Sequence, residues 1–401
     1  MSQVAAVGRS PIPILHPITR LIVGGAQENT MYTAALLAPA RYRVAVLCGP
    51  QTGAEGSLIE EVRARDIPLT ILPELVREIS PIKDLVAVWK LYRLMRRERY
   101  TIVHTHSSKA GVLGRLAAKL AGVPVIVHTV HGWSFHEHMA PRKRQVYVWL
   151  ERLGARLSDA MIVVAAPDID KGLREGIGTP GDYHIIRSAI PLDEFDPARV
   201  DPQAVRRELG IPPDVPVLGN VGRFSPQKNP LDWVRVAARV ARELPECRFL
   251  LVGDGPLRPE IEAALAEAGI ADRAILTGLR RDVPQLLAAM DVFLLTSLWE
   301  GLPRVIPQAM AMRVPVVANR ADGTVEAISH GETGYLCAPG NLDALAAHCL
   351  ELLRDPALRR AMGARGREFA THEFDVHAMV HAIEALYETL LISRAPSSKT
   401  P

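Results

Sequence analysis

The chain is short of aromatics, cysteines and surplus charge, and each shortage argues against a class of function. Phe, Trp and Tyr make up 5% of its 401 residues, and no RNA- or DNA-reading motif accompanies them. The formal net charge is only +3, too weak a field for a nucleic-acid binder, so no nucleic-acid partner is expected. Cys48, Cys247, Cys337 and Cys349 are scattered, without a Cys-x-x-Cys pair. That argues against a zinc or disulfide framework and fits a reducing compartment. No apolar run approaches the roughly 18 residues of a bilayer span. Nor does the N-terminus carry the charged head and long apolar stretch of a signal peptide. A cytoplasmic location is expected, peripheral on the inner face of the cell membrane if a membrane is involved.

What the sequence does have is alternation. Short apolar strands are predicted at 20–23, 43–48, 102–105, 125–129, 160–164, 216–221, 248–252, 274–277, 292–296 and 314–318. Between them the apolar residues recur at helical spacing, as in Leu257, Ile261 and Leu265. Strand–helix alternation with continuous apolar strands implies an α/β fold of parallel sheets covered on both faces. These strands are too many for one compact sheet. A Pro- and Asp-rich stretch from Ile190 to Pro216 separates two series and reads as a linker. Two Rossmann-like halves facing across a cleft are expected, with ligands outside the carboxyl ends of the strands.

The segment Leu298-Trp299-Glu300-Gly301-Leu302-Pro303-Arg304-Val305-Ile306-Pro307-Gln308 is the most informative. It follows a predicted strand, turns at glycine and enters a helical run with prolines near its start, where a missing N–H costs little. Free backbone N–H groups there favour an anion. Glu300 beside them would repel phosphate. It is better suited to accept hydrogen bonds from hydroxyls, as in a sugar.

Other strand ends carry further candidates. Gly24 and Gly25 allow close approach of backbone to a phosphate or sugar. Arg223 and Lys228, five residues apart across a turn, can converge on one diphosphate. Gly253-Asp254-Gly255-Pro256 is a truncated dinucleotide fingerprint, weak as evidence for NAD because its third glycine is missing. It reads as a turn lining the cleft. His131, in His128-Thr129-Val130-His131, is placed to meet a substrate hydroxyl. His104-Thr105-His106, His136 and His138 lack a carboxylate or cysteine at ligand spacing, so no metal site is expected. Asp168-Ile169-Asp170 opens a helix and offsets its dipole. The segment 83–99, from Lys83 to Arg99, is a basic amphipathic helix, suited either to an anionic membrane surface or to the core. The run Arg142-Lys143-Arg144 favours the membrane.

Together these motifs, with Gly331-Glu332-Thr333-Gly334-Tyr335, resemble those of family 4 glycosyltransferases of the GT-B fold. The resemblance runs from Gly24 to about Phe369. It implies a retaining, metal-independent transferase that needs no cofactor and takes a nucleotide-diphosphate sugar, UDP-linked, to a lipid-linked or polysaccharide acceptor. It implies an acceptor-side domain over 1–190, a donor-binding domain over 191–376, a helix over 377–392 crossing back to the first domain, and a tail over 395–401 expected to be disordered. By position, Arg223 and Lys228 would grip the diphosphate, and Glu300 the sugar hydroxyls, helped by backbone N–H groups within the stretch Leu302-Pro303-Arg304-Val305. His131 would touch the sugar near its reacting face. Gly24 and Gly25 would let phosphate and acceptor meet, Gly255 would line the nucleotide, and Leu279 would seat the base. Proline has no N–H, so Pro303 contributes shape alone. The family pattern places a second glutamate eight residues after the first. Here that position is Gln308, which predicts weaker ribose binding by about 1 kcal/mol. Two alternatives share the architecture: a non-hydrolysing nucleotide-sugar epimerase and a non-catalytic sugar-nucleotide scaffold.

Overall fold

Strands such as Val125–Val130 and Arg248–Val252 are apolar on both faces, so each must be covered twice, and the chain does this with two all-parallel sheets wrapped by helices. The computed structural model describes residues 10–51, 55–137 and 139–394. His138 and the expected tail over 395–401 lie outside the described residues. The first sheet holds β1 (Ile12–Ile18), β2 (Tyr42–Cys48), β3 (Leu69–Ile71), β4 (Ile102–His106), β5 (Val125–Val130), β6 (Ala160–Val163) and β7 (Tyr183–Ile185), in the order β3-β2-β1-β4-β5-β6-β7. The second holds β8 (Val217–Val221), β9 (Arg248–Val252), β10 (Ala274–Gly278), β11 (Val292–Leu295), β12 (Val316–Asn319) and β13 (Gly334–Cys337), in the order β10-β9-β8-β11-β12-β13.

The first strand is not where the sequence suggests. Residues 20–23 form a loop, and β1 lies earlier, at Ile12–Ile18, with Pro13 and Pro17 inside a central strand. Proline normally argues against such a position. It is tolerated because both prolines point their missing N–H the same way. The Pro13 carbonyl accepts from Thr101 N at 3.0 Å, on the β4 side. On that side the pairing covers only Ile14 and Leu15, whereas β2 pairs along the whole strand. Strands β3, β7 and β13 also escaped the sequence reading.

The Ile190–Pro216 stretch is more than a linker. It contains a capped helix, Pro202–Glu208, with Asp201 Oδ1 accepting from Gln203 N at 2.9 Å. Phe195, Val205 and Ile211 belong to the core of the second half. The final helix, Val376–Arg394, returns to the first half, where Val376, Met379, Ile383, Leu386 and Tyr387 pack on Ile14, Ile102 and Val125. The chain crosses between halves twice, side by side. Ile190 N donates to Phe374 O at 2.9 Å, and Val376 N donates to Ile190 O at 3.1 Å.

The helix Pro81–Glu98 packs one face on the core and leaves another exposed. Ala87, Leu91 and Met95 are buried, while Ile82 and Leu85 are 81% and 73% exposed on another face. Among the described residues, no helix is long and apolar enough to cross a membrane.

Candidate functional site

Strand order reverses once in each sheet, between β1 and β4 and between β8 and β11. Crevices for ligands open at such points, beyond the carboxyl ends of the strands. Gly24 and Gly25 follow β1, Arg223 and Lys228 follow β8, and Glu300 follows β11. His131 follows β5, one strand from the first reversal. The two halves bring these ends together.

Glu300 is only 8% exposed, and its charge is met by Lys228, whose Nζ lies 2.5 Å from Oε1. Its backbone N–H donates to Asp322 Oδ2 at 2.9 Å, and Gln227 Nε2 donates to the neighbouring Trp299 O at 3.0 Å. The loop is therefore tied at three points before the helix Val305–Ala311 begins. That helix has seven residues, so its dipole is short, and Lys228 supplies more positive field than the helix start does. Leu302, Pro303 and Gln308 are buried, and Val305 is half-buried.

The loop also nests against the other half of the molecule. A Cβ on Gly301 would sit 2.3 Å from the His131 carbonyl oxygen, and one on Gly323 would sit 2.0 Å from the Gly301 carbonyl oxygen. Only glycine permits backbone to approach backbone this closely. Trp299 stacks on His136 from the opposite half, with ring centroids 4.0 Å apart.

Arg223 sits where β8 ends, and its Nη2 is 2.8 Å from Glu55 Oε1, a carboxylate of the first half also held by Arg20 at 3.2 Å. The 253–255 turn packs directly beneath: a Cβ on Gly255 would meet Phe224 O at 2.4 Å. Phe224 N donates to Asp254 O at 2.9 Å, locking the two turns together. Leu279 is 45% exposed and lies over Gly56 of the first half. Its neighbour Arg280 is committed to Asp282 and Glu208.

Arg304 was expected to act through its backbone, but its side chain is a pin between the halves. Its Nε donates to Ala189 O at 2.8 Å, it pairs with Glu28, and its guanidinium lies 5.6 Å from the Tyr32 ring centre. Gly25 lies against it: a Cβ there would be in ordinary contact with Arg304 Cδ at 3.6 Å. Gly24 precedes the helix Gly25–Leu36 in extended backbone.

His131 Nε2 is 3.2 Å from His106 Nδ1, and His106 Nε2 is 3.0 Å from His16 Nδ1. Burial pushes His16 and His131 down to about 3 and holds His104, His106 and His128 well below the usual range. All five imidazoles are thus neutral at pH 7. His16, His104 and His106 offer nitrogens within 4.8 Å of one another, a grouping that sequence spacing did not reveal. Their nitrogens are already in use, since His104 bonds Tyr387 Oη and Thr129 Oγ1, each at 2.6 Å. Of the ring nitrogens of these three histidines, only His16 Nε2 is buried without a partner.

Asp168 lies in the first turn of the helix Pro167–Arg174, as the sequence implied, but it is buried. It is 3% exposed, and burial, with Asp322 and Glu326 nearby, lifts its carboxyl to about 7. Glu55, Asp322 and His16 are site neighbours that the sequence reading missed. No sequence spacing marks Glu55. His16 was hidden by the misplaced first strand.

Residues 24–187 match the family described as glycosyl transferase 4-like domain, and residues 215–355 match glycosyl transferases group 1. The chain is 31% identical to the UDP-Gal:alpha-D-GlcNAc-diphosphoundecaprenol alpha-1,3-galactosyltransferase of Escherichia coli, over 96% of this chain and 99% of that protein. It is 30% identical to the N-acetyl-alpha-D-glucosaminyl L-malate synthase of Bacillus anthracis, over 78% and 80%. In fold it is similar to Anabaena Alr3699/HepE, crystallised with UDP-glucose, with a TM-score of 0.82 and 24% identity over 94% of this chain and all of that one.

Proposed function

The chain belongs to the 4-like, group 1 glycosyltransferases, a GT-B enzyme with two Rossmann-like domains, and from that premise we propose that it is a retaining hexosyltransferase. It takes the sugar from UDP to an acceptor carried on a lipid diphosphate or growing polysaccharide, and needs no metal. The observation that carries this reading is that Arg223 meets Glu55 across the seam, while the Lys228–Glu300 pair lies on the loop that nests against His131. The Escherichia coli relative, whose name specifies a UDP-sugar and a lipid-diphosphate acceptor, supports the substrate class.

Each residue then has a task. Arg223 and Lys228 bind the diphosphate and stabilise the charge that grows on the leaving UDP, the term that usually dominates such catalysis. Donor phosphate must displace Glu55 from Arg223, since both are anions on one guanidinium. Glu300 accepts from sugar hydroxyls, and His131 contacts the sugar near its reacting face. Gly24 and Gly25 let the acceptor reach the phosphate. Leu279 and the Gly255 turn seat the base, and Gln308 accepts from the ribose without charge. The bond from the anomeric carbon to the diphosphate oxygen breaks while the acceptor oxygen bonds to the same face. The acceptor proton passes to the leaving phosphate. Positioning and leaving-group stabilisation supply the rate, with no carboxylate nucleophile.

The acceptor's lipid suggests where the enzyme works. Ile82, Leu85 and Trp89 face outward on Pro81–Glu98, and Val146 and Trp149 do so on Pro141–Arg156. Both helices pack beside Ser108–Ala121. Exposed apolar side chains among Lys83, Arg93, Arg142 and Lys143 suit an anionic bilayer surface. Four free, buried cysteines fit the reducing cytoplasmic side.

The test is transfer by the full chain from UDP-glucose, UDP-galactose or UDP-N-acetylglucosamine to a polyprenyl-diphosphate sugar with EDTA present, the product read by NMR. Retention of the donor's anomeric configuration is expected. An inverted product would overturn the retaining assignment, and a strict metal requirement would overturn metal independence.

A further inference from the structure

We propose that Asp322 is a positioning residue for the donor sugar: its carboxylate holds the backbone of the loop that carries Glu300, and so aims the Glu300 side chain. The sugar-binding role of Glu300 rests on the reading above; the hold on its backbone stands on the geometry below.

Topology sets the meeting. Glu300 follows β11, and the neighbouring strand β12 ends at Asn319, so the turn 319–323 lies alongside the Glu300 loop. Side chains stiffen this turn. Asn319 Nδ2 donates to Thr296 O at 2.9 Å. Thr324 Oγ1 accepts from Ala321 N and donates to Asn319 O, each at 2.8 Å. Gly323 packs against the Gly301 carbonyl, and Ala165 of the first half closes in beside it. Glu326 Oε1 accepts from Ala166 N, also of the first half, at 2.6 Å. Both halves thus brace the turn, which makes it a fixed point from which to hold the loop.

Asp322 stands in this turn at φ 39°, a left-handed conformation that glycine adopts freely and aspartate only at some cost. The backbone by itself favours glycine here, so the side chain is present against that preference. Such strain persists where the surroundings hold it, and it concentrates at functional sites. Two groups meet the carboxylate. Lys171 Nζ is 3.7 Å from Oδ1, too far for a hydrogen bond, and both side chains are partly exposed, so this pair contributes little. Glu300 N donates to Oδ2 at 2.9 Å, a charge-assisted bond to the backbone of a buried residue. On its other flank the loop is held by Gln227, whose O accepts from Leu298 N at 2.9 Å and whose Nε2 donates to Trp299 O at 3.0 Å. Without the Asp322 carboxylate, hydrogen bonds would tie the main chain at 298–300 on the Gln227 flank alone. The Glu300 carboxylate has one oxygen on Lys228, and its remaining lone pairs must be aimed at the sugar hydroxyls by the backbone beneath them.

The experiment compares Asp322→Gly, which relaxes the backbone but removes the acceptor, with Asp322→Asn, which keeps an acceptor oxygen. Hydrogen exchange of the full chain, read by mass spectrometry over residues 298–302, reports the hold. Exchange there should quicken roughly tenfold in Asp322→Gly and stay near wild type in Asp322→Asn. With the UDP-sugar that the transfer assay accepts, Asp322→Gly should lower kcat/KM roughly tenfold, chiefly through KM. Its UDP affinity should stay within about threefold, and its melting temperature should not fall. Asp322→Asn should recover most of the loss. Unchanged exchange in Asp322→Gly overturns the proposal, as does an equal loss of affinity for UDP and UDP-sugar. Faster exchange with unchanged sugar kinetics also overturns it, and Glu300→Gln then locates the fault. A raised KM in Glu300→Gln leaves the sugar reading standing and faults Asp322, whereas an unchanged KM faults the sugar reading itself. Adding Asp322→Gly to Glu300→Gln should lower kcat/KM by less than about threefold more, because the two act through one contact. The full tenfold in that background would mean that Asp322 acts apart from Glu300.

Discussion

Lys228 Nζ sits 2.5 Å from Glu300 Oε1, so the cation proposed to bind the diphosphate and the carboxylate proposed to bind the sugar form one ion pair, with Glu300 buried and Lys228 half-buried. Their tasks separate by ligand. Lys228→Ala should lower kcat by about 100-fold, the scale for losing one charge-stabilising group in a dry site. Glu300→Gln should leave UDP binding within about threefold, a margin of about 0.65 kcal/mol, while raising KM for the UDP-sugar. Calorimetry with UDP and steady-state kinetics with UDP-sugar separate the two. Equal losses for both ligands in Glu300→Gln would remove its assignment to the sugar.

Glu55 bridges Arg20 and Arg223, and it competes with donor phosphate. Glu55→Gln should strengthen UDP binding by about two- to fivefold, the value of a partly exposed ion pair. The gain should fade at high salt. Weaker binding in this variant would mean that Glu55 orients Arg223 for the donor.

Stability should fall on acidification. His16, His104, His106, His128 and His131 have folded pKa values pushed below the unfolded value of 6.5 by burial. Below that pH the unfolded chain binds protons that the folded chain refuses, so each costs about 1.4 kcal/mol per pH unit. Asp168 acts in reverse. Raised from 3.8 to about 7, it is destabilising above pH 7 and this cost is relieved as pH falls toward 4. Five groups outweigh one. Urea unfolding between pH 8 and pH 5 should show a net loss, and Asp168→Asn should stabilise at pH 8 and steepen the loss. A flat profile would contradict this charge assignment.

The outward apolar row is tested by Leu85→Glu with Trp89→Glu. Neither side chain belongs to the core, with Leu85 73% and Trp89 52% exposed. The double variant should keep its melting temperature and bind phosphatidylglycerol vesicles at least tenfold more weakly. Sedimentation with vesicles reads this. Equal sedimentation would show that the row serves another purpose.

Much of this was legible in the sequence because the signals were local. Continuous apolar strands, the glycine turns, and Glu300 between a strand and prolines each announce themselves within about ten residues. What failed needed pairing across distance. Pro13 and Pro17 hid a central strand, because which side their missing N–H groups face depends on how far β4 pairs. With β1 misplaced, His16 could not be seen beside His104. Arg304 looked like a helix-start residue, and only the closed halves show it gripping Glu28 and Ala189. Asp168 stood at a helix start as sequence logic required, but its carboxyl is buried and the carboxylates that raise its pKa, Asp322 and Glu326, lie some 150 positions away.

The most direct measurement is calorimetric titration of UDP into the full chain with EDTA present, beside Arg223→Ala and with GDP as a control. UDP should bind without metal, GDP more weakly, and Arg223→Ala should abolish the heat while the protein stays folded. Undiminished UDP binding by Arg223→Ala, or none by the wild-type chain, would contradict a donor diphosphate site at the end of β8.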